Sequence, residues 1–222
     1  MNATLEVALA FAAGYLVGSV PLGLLVARFA AGIDIRRYGT GNVGAANVRR
    51  NVGLLPAGMV ALGIFLQGLL PAWVVHLLGG SEAAVAGAAV GAVVGYGWPV
   101  FLGFKGGRAV GTATGAAAAI SPGGFVVLVS AYALGALMKQ VALGVLFGFV
   151  AYAVYVLYFA ILLPDKAASL LLVILIVTRR LEGVRKDLEQ GDPVAVMVDR
   201  LFFDRRLGQR LAGSMDEEHR GP

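Results

Sequence analysis

The sequence has no cysteine and little charge. Only 14% of its 222 residues are charged, whereas 59% are hydrophobic. Without cysteine the chain forms no disulfide, no thiolate metal site and no cysteine nucleophile. A soluble domain carries about a quarter charged residues, so this composition, with a mean hydropathy of +0.81, indicates an integral membrane protein.

Signatures of several enzyme and transport classes are also missing. The sequence contains no HxxxxD, GxSxG or HExxH motif and no Walker P-loop. Its apolar runs carry no Asp/Glu pair of the kind that proton- or cation-coupled transporters use. An ion-coupled transporter therefore has little support.

Long apolar runs predict an all-α, polytopic transmembrane helical bundle with about 5 to 7 membrane helices. Backbone groups in lipid must be hydrogen-bonded internally, which long apolar runs achieve as helices. The period-two alternation of a membrane barrel is absent. The runs lie at residues 5–29, 54–78, 83–99, a stretch ending near 138, and 141–163. The higher count applies if the fourth run breaks near Ser121–Gly124 and the 167–190 region also crosses.

Three details of these runs yield separate expectations. Pro21 kinks the first run and frees a carbonyl, which is tolerable only where protein or water bonds it. No basic region precedes that run, so a spanning helix is favoured over a cleaved signal peptide. After the fifth run, Pro164–Lys166 is predicted to be a turn, and Ala167–Val177 is too short to cross alone.

The basic loops predict the orientation of the chain. Arg36–Arg50 and Lys105–Arg108 lie two spans apart and therefore share a side, which the basic tail also shares. The positive-inside rule makes that side cytoplasmic, with the N-terminus outside and the C-terminus cytoplasmic. We divide the chain into a transmembrane domain, 1–178, and a basic cytoplasmic tail, 179–222. Residues 193–211 of the tail fit either an interfacial amphipathic helix or a soluble tail helix.

Glycines recur every fourth residue through the middle of the chain. Gly87, Gly91 and Gly95 line one face of the third span, which predicts close helix packing. Gly103, Gly107, Gly111 and Gly115 continue the period, but the first two flank Lys105 and Arg108. These later glycines therefore leave a role beyond packing open.

The one extended polar segment among the apolar runs is Gly32–Gly53. Its glycines permit positive φ, so that successive N–H groups can form a nest for an anion. Thr40 and Asn42 add side-chain donors, and Arg36 and Arg50 can present bidentate forks to phosphate. A simple positive-inside turn is the alternative.

A second compact cluster strengthens the phosphate interpretation. Lys105, Gly106, Gly107 and Arg108 combine cations with two glycines on the same predicted side. Together the two clusters predict a bipartite site for phosphorylated ligands. Binding of inner-leaflet headgroups without catalysis is the alternative.

Three segments carry a family resemblance: GSVPLG at 18–23, GIDIRRYGTGNVGAANVRRNVG at 32–53 and GWPVFLGFKGGRAVGTATG at 97–115. They resemble the bacterial acyl-phosphate:glycerol-3-phosphate acyltransferases. The resemblance implies a multi-pass enzyme of the bacterial plasma (inner) membrane, with its active site near the cytoplasmic face. It implies transfer of an acyl group from acyl phosphate to the sn-1 hydroxyl of glycerol 3-phosphate, giving lysophosphatidate and phosphate for phospholipid biosynthesis.

The resemblance also implies partners and site residues. We expect acyl phosphate, glycerol 3-phosphate and the lipid bilayer as partners, and no nucleic acid, metal or cofactor. The expected catalytic residues are Lys105, Arg50 and Asn42. The expected substrate-binding residues are Arg36, Gly39, Thr40, Gly41, Gly44, Asn47, Gly106, Gly107 and Ser19.

Some positions depart from the family pattern. Tyr96 or Gly97 stands where the family usually has histidine, and Ala142 stands in place of a serine. Arg179 and Glu182 occupy the places of a later histidine and asparagine. Because these positions belong to the acceptor site in the family, a catalytically altered or inactive relative that binds acyl phosphate or anionic lipid is the alternative.

Overall fold

The computed structural model describes residues 2–182, which are all-helical with no strand. The helices are α1 Ala3–Ser19, α2 Leu22–Ala31, α3 Ala45–Asn51, α4 Leu54–Leu77, α5 Glu82–Gly97, α6 Val110–Ile120, α7 Pro122–Leu137, α8 Val141–Phe159 and α9 Leu163–Leu181. Single 3-10 turns lie at Ile35–Arg37 and Val100–Leu102. The predicted fold class is confirmed.

Four segments of the described chain are long and apolar enough to cross a membrane: Ala3–Ala31, Leu54–Leu77, Glu82–Leu102 and Val141–Phe159. The fourth predicted run is divided into the shorter α6 and α7. Ser121 lies between them, and its hydroxyl accepts a hydrogen bond from the Gly124 N–H at 3.2 Å. The number of crossings and the orientation of the chain stay predictions.

The first span is broken at Pro21, and a side chain from another helix bonds the carbonyls at the break. Gln67 is buried in α4, and its amide nitrogen donates to the Val17 and Val20 carbonyls at 2.8 and 2.9 Å. A span interrupted by proline persists in lipid only when its released carbonyls are bonded in this way. The expectation drawn from Pro21 is therefore met by a protein group.

The start of α9 differs from the sequence-based expectation. The predicted turn at Pro164–Lys166 is wrong, because these residues form the first turn of α9. A proline is tolerated there because the first N–H groups of a helix have no intrahelical partner. The predicted domain boundary at 178/179 falls inside this helix, and the predicted 193–211 segment lies outside the described residues.

Helix α5 lies against α1 at backbone contact. A Cβ added to Gly91 or Gly95 would collide with the carbonyl oxygen of Phe11 or Tyr15, respectively. The relation is reciprocal, since Gly14 and Gly18 of α1 approach α5 carbonyls equally closely. Lipid tails give apolar side chains no hydrophobic reason to associate, so such close packing supplies much of the attraction between helices.

The later glycines of the periodic series divide between packing and the loop. Gly111 and Gly115 face α4, where an added Cβ would collide with Ile64 or with the Phe65 carbonyl. Gly103 has open space around it but a φ of +60°, a conformation that favours glycine. The expected packing role thus holds for the helical glycines and not for Gly103.

We predict that Gly91→Ala destabilises the fold, because the new methyl group would have to displace backbone. The free energy of unfolding should fall by about 1–3 kcal/mol, as in other overpacked cores. Gly58→Ala is the matched control, since Gly58 is an exposed helical glycine with open space around it. Melting temperatures in detergent should fall for Gly91→Ala only, and equal behaviour of the two variants would contradict this packing.

Candidate functional site

Asn47 holds the glycine-rich loop together from inside. Its side chain is 2% exposed, and its amide nitrogen donates to the carbonyls of Ile35, Tyr38 and Asn42 at 3.2, 3.0 and 2.9 Å. Its side-chain oxygen accepts from the Thr40 N–H at 3.1 Å. All these contacts lie within the loop, so Asn47 positions the loop and does not face a ligand.

The open anion nest expected from the glycines is not formed, because the loop uses its own N–H groups. The Thr40, Gly41, Asn42 and Gly44 N–H groups donate to acceptors in the loop, at 3.1, 3.0, 3.4 and 3.1 Å, respectively. Gly39 and Gly41 have φ of +55° and +69°, which lets the chain turn tightly enough for these bonds.

This arrangement leaves two side-chain donors in the loop. The Thr40 hydroxyl accepts from the Asn42 N–H, and the Asn42 side-chain oxygen accepts from the Gly44 N–H. Each side chain has used its acceptor inside the loop, so the group that remains is a hydroxyl proton or an amide NH₂. The Thr40 hydroxyl and the Asn42 amide can therefore both donate hydrogen bonds to an anion.

Arg36 is paired inside the protein. Its guanidinium donates two hydrogen bonds to Asp34, at 2.9 and 2.6 Å, and Arg28 lies 3.7 Å from the same carboxylate. The hydrogen bonds from Arg36 hold the pKa of Asp34 well below its usual range. The fork that we expected to bind phosphate is therefore occupied by a carboxylate of the same segment.

Arg50 and Lys105 keep their charges accessible. Both residues are exposed, and neither side chain has a hydrogen-bonding or ionic partner among residues 2–182. Arg50 belongs to α3 and Lys105 to the loop before α6. These two cations are available to a ligand, in contrast to Arg36.

The second loop is held in a strained conformation against the end of α5. Phe104 and Ala109 have φ of +63° and +58°, which costs about 1–3 kcal/mol for each non-glycine residue. Between them Gly107 donates its N–H to the Tyr96 carbonyl at 3.3 Å. A Cβ added to Gly106 would collide with the carbonyls of Tyr96 and Gly97, so this approach requires glycine.

Arg179 of α9 fixes the same loop from its other side. Its guanidinium donates to the carbonyls of Gly107 and Gly106 at 2.8 and 2.9 Å and lies 4.9 Å from the centre of the Trp98 ring. It also forms an ion pair with Glu182. Two of the departures from the family pattern therefore pair with each other and stabilise the Lys105 loop.

Tyr96, at the end of α5, brings the two loops together. A Cβ added to Gly44 would lie 3.7 Å from the Tyr96 hydroxyl oxygen, and one added to Gly107 would lie 3.0 Å from it. Both loops therefore approach one side chain and lie at the same end of α5.

Ser19 does not lie beside these loops. It is 0% exposed, and its hydroxyl is bonded to the Gly95 carbonyl at 3.4 Å, between α1 and α5. This position corrects our expectation of direct substrate contact, because a fully buried hydroxyl bonded to a helix carbonyl does not reach the loops. Ser19 instead supports the segment that carries Tyr96.

Asp34 and Asn51 were not predicted from the sequence, and Tyr96 and Arg179 stood out there only as departures from the family pattern. Asp34 lies two residues before Arg36, and Asn51 lies one helical turn after Asn47 and donates to its side-chain oxygen at 3.1 Å. Both spacings are visible in the sequence. The roles of Tyr96 and Arg179 depend on long-range contacts that no local pattern indicates. Within residues 2–182, no group of three His, Asp or Glu side chains is placed to hold a metal.

The fold and site define a helical membrane protein with two basic, glycine-rich loops at the same end of α5. More narrowly, the chain belongs to the glycerol-3-phosphate acyltransferase family, whose model matches residues 8–189.

The chain is similar to curated relatives over different lengths. It is 46% identical over 109 residues to the glycerol-3-phosphate acyltransferase of Rubrobacter xylanophilus, which covers 49% of this chain and 54% of the relative. It therefore spans about half the length of this relative and of others like it. With glycerol-3-phosphate acyltransferase 1 of Deinococcus radiodurans, it is 36% identical over 215 residues, covering 94% of this chain and all of the relative.

Two crystal structures are also similar to the chain. Both are of PlsY (YgiH), an integral membrane glycerol 3-phosphate acyltransferase. The glycerol 3-phosphate form has a TM-score of 0.71 and 29% identity, covering 85% of this chain and 93% of that one. The lysophosphatidic acid form has a TM-score of 0.71 and 27% identity, covering 89% and 99%.

We predict that Asn47→Ala loosens the first loop. The substitution removes the amide donor from three carbonyls and the acceptor from the Thr40 N–H, and a buried group left without a partner costs about 1–3 kcal/mol. Hydrogen–deuterium exchange of residues 35–44 should become faster. Arg49→Ala, at an exposed position of the same helix, should leave exchange unchanged, and unchanged protection in Asn47→Ala would contradict the positioning role.

Arg179→Lys should release the second loop although the positive charge is kept. A lysine ammonium lacks the planar fork that spans the Gly106 and Gly107 carbonyls and stacks on Trp98. Exchange of residues 103–109 should become faster in Arg179→Lys and Arg179→Met alike. If Arg179→Lys retained full protection, charge and not the geometry of the fork would hold the loop.

Proposed function

We propose that the protein is a glycerol-3-phosphate 1-O-acyltransferase that uses acyl phosphate as the donor and releases lysophosphatidate and phosphate. The observation that carries this proposal is the meeting of two loops with accessible cations, Arg50 and Lys105, around the end of one apolar helix. Family membership supports it, as do the relatives named for this activity and the solved structures in glycerol 3-phosphate and lysophosphatidic acid forms.

The chemistry needs little beyond charge and position. The sn-1 hydroxyl oxygen attacks the acyl carbonyl carbon, the bond from that carbon to the phosphate oxygen breaks, and phosphate leaves with the electron pair. Phosphate is already a competent leaving group, so the hydroxyl proton passes to a substrate phosphate and no strong protein base is needed. Catalysis is then mainly positioning and stabilisation of developing charge.

The accessible donors of the two loops take the direct roles. Lys105 and Arg50 neutralise charge on the phosphoryl oxygens, Arg50 through its planar fork and Lys105 as a point charge. The Asn42 amide and the Thr40 hydroxyl donate hydrogen bonds to the same ligand. Gly39 and Gly41 allow the tight turn of the first loop, and Gly106 and Gly107 allow the close approach of the second loop to the end of α5. Gly44 donates its N–H to the Asn42 side chain.

The remaining predicted site residues act through the loops. Asn47 holds the first loop together from inside. Arg36 stabilises the start of the same segment through its hydrogen bonds to Asp34. Neither residue needs to touch substrate to matter for the reaction. Arg36 and Asn47 are therefore positioning residues in this proposal, whereas the family resemblance implies that they bind substrate.

Apolar surface beside the loops suits the acyl chain of the donor. Phe104, next to Lys105, is 57% exposed, and Leu54 and Leu55, which follow the first loop, are 74% and 78% exposed. An acyl phosphate places a charged head at the loops while its chain remains in lipid. We place the site at the cytoplasmic face of the bacterial plasma membrane, on the side of the basic loops.

A catalytically altered relative that binds acyl phosphate or anionic lipid is the second candidate. One observation favours it. Arg179 and Glu182, at positions assigned to acceptor binding in the family, pair with each other, and Arg179 bonds loop carbonyls instead of facing a ligand. Ala142 has no side-chain hydrogen-bonding group, and its carbonyl accepts from Arg180 at 2.9 Å.

An activity assay separates the two candidates. The protein, purified in detergent or lipid, is given acyl phosphate and labelled glycerol 3-phosphate, and labelled lysophosphatidate is measured. Lys105→Ala and Arg50→Ala should each lower kcat/KM by about 10²–10³, because a lost charged contact to phosphate costs roughly 3–4 kcal/mol in the transition state.

Lys166→Ala is the matched control for these variants. Lys166 lies in the first turn of α9, about 20 Å along that helix from Arg179, and should retain the full rate. Absence of product from the wild type, with an active relative as positive control, would favour the second candidate. Full activity of Lys105→Ala would show that the site lies elsewhere.

A further inference from the structure

We infer that the Tyr96 hydroxyl is a third phosphate-binding group, which donates a hydrogen bond to a phosphoryl oxygen at the seam between the two loops. The seam is the place where Gly44 of the first loop and Gly107 of the second both face the Tyr96 side chain. This inference rests on the proposed function and adds to it a ligand-binding residue that lies in neither basic cluster.

The first observation is an unsatisfied buried donor. Tyr96 is 5% exposed, and its hydroxyl oxygen is closed off from solvent without a hydrogen-bond partner among the described residues. Buried tyrosine hydroxyls usually have such a partner, because leaving one unmade carries the full desolvation penalty of the group. Tyr152 of α8 shows the usual state, with its hydroxyl donating to the Ala117 carbonyl at 3.3 Å.

The second observation is the place of this hydroxyl. Asn42 and Thr40 lie on one side of the seam and the Lys105 loop on the other. A Cβ added to Gly44 would lie at ordinary contact distance from two polar oxygens, 3.7 Å from the Tyr96 hydroxyl and 3.5 Å from the Asn42 side-chain oxygen. A side chain at position 44 would therefore lie in van der Waals contact with both oxygens, and glycine keeps this side of the hydroxyl free of a side chain.

A phosphoryl oxygen fits this position chemically. At the seam the Tyr96 hydroxyl and the Asn42 amide group remain able to donate hydrogen bonds, and the two segments that meet there carry the exposed cations Arg50 and Lys105. A neutral hydroxyl that donates to an anion forms one of the stronger hydrogen bonds in proteins. The Tyr96 proton stays on its oxygen throughout, since the role is binding and no proton is transferred.

The test compares Tyr96→Phe with Tyr152→Phe by thermal melting. Each variant removes one buried hydroxyl and keeps the ring. Without ligand, Tyr96→Phe should melt at or above the wild-type temperature, because it removes an unsatisfied polar group, whereas Tyr152→Phe should melt lower. With ligand, the stabilising shift should shrink in Tyr96→Phe and persist in Tyr152→Phe.

Three probes identify the source of the phosphoryl group: glycerol 3-phosphate, a non-reacting acyl phosphonate and inorganic phosphate. Loss of the shift with only one organic probe assigns Tyr96 to that substrate, and loss with all three assigns it to a shared phosphate position. In steady-state assays Tyr96→Phe should raise KM for the assigned substrate by about 10- to 100-fold, with a smaller change in kcat.

Gly44→Ala tests the space beside the hydroxyl. Its φ of −82° is ordinary for alanine, so the fold and the melting temperature without ligand should be retained while the ligand shift is lost. A full ligand shift in Tyr96→Phe, or a loss of stability without ligand as large as that of Tyr152→Phe, overturns the inference alone. A wild type that none of the three probes stabilises contradicts the proposed function and this inference together.

Discussion

The close approach of α1 and α5 is the constraint on which the rest of the structure depends. Glycines on both helices let each backbone contact the other, as at Gly14, Gly18, Gly91 and Gly95. Because this contact fixes the position of α5 along its length, it also fixes the position of the C-terminal end of α5. The first loop, the second loop and Arg179 all pack near Tyr96 and Gly97 at that end. Membrane packing and site geometry are therefore parts of one arrangement.

The two loops are stabilised in different ways, although both contain several glycines and basic residues. A buried neutral amide, Asn47, organises the first loop through carbonyls. A buried guanidinium, Arg179, organises the second loop through the same kind of acceptor. In both cases the loop's own carbonyls bind the positioning residue. The loop carbonyls are thereby bonded internally, while the Arg50 and Lys105 side chains stay exposed.

The sequence predicted the elements better than the contacts. Apolar runs indicate spans because lipid imposes a length and an internally bonded backbone, and the broken first span follows from Pro21 alone. The two basic clusters are also visible in the sequence, because they interrupt the apolar runs. The partners of Arg36, Ser19 and Arg179 were not, because they depend on which groups the folded chain brings within 3 to 4 Å. The turn predicted at Pro164–Lys166 is wrong because a proline suits the first turn of a helix as well as a loop.

Gln67 has a consequence for how the protein enters the membrane. The chain emerges from the ribosome N-terminus first, so the break at Pro21 reaches the bilayer before α4 is synthesised. Until then the Val17 and Val20 carbonyls have only the local bonds from the Val20 and Leu22 N–H groups. The additional bonds from Gln67 can form only once the second span is present, about 50 residues later in synthesis. The full stability of the first span in hydrocarbon therefore depends on its pairing with the second.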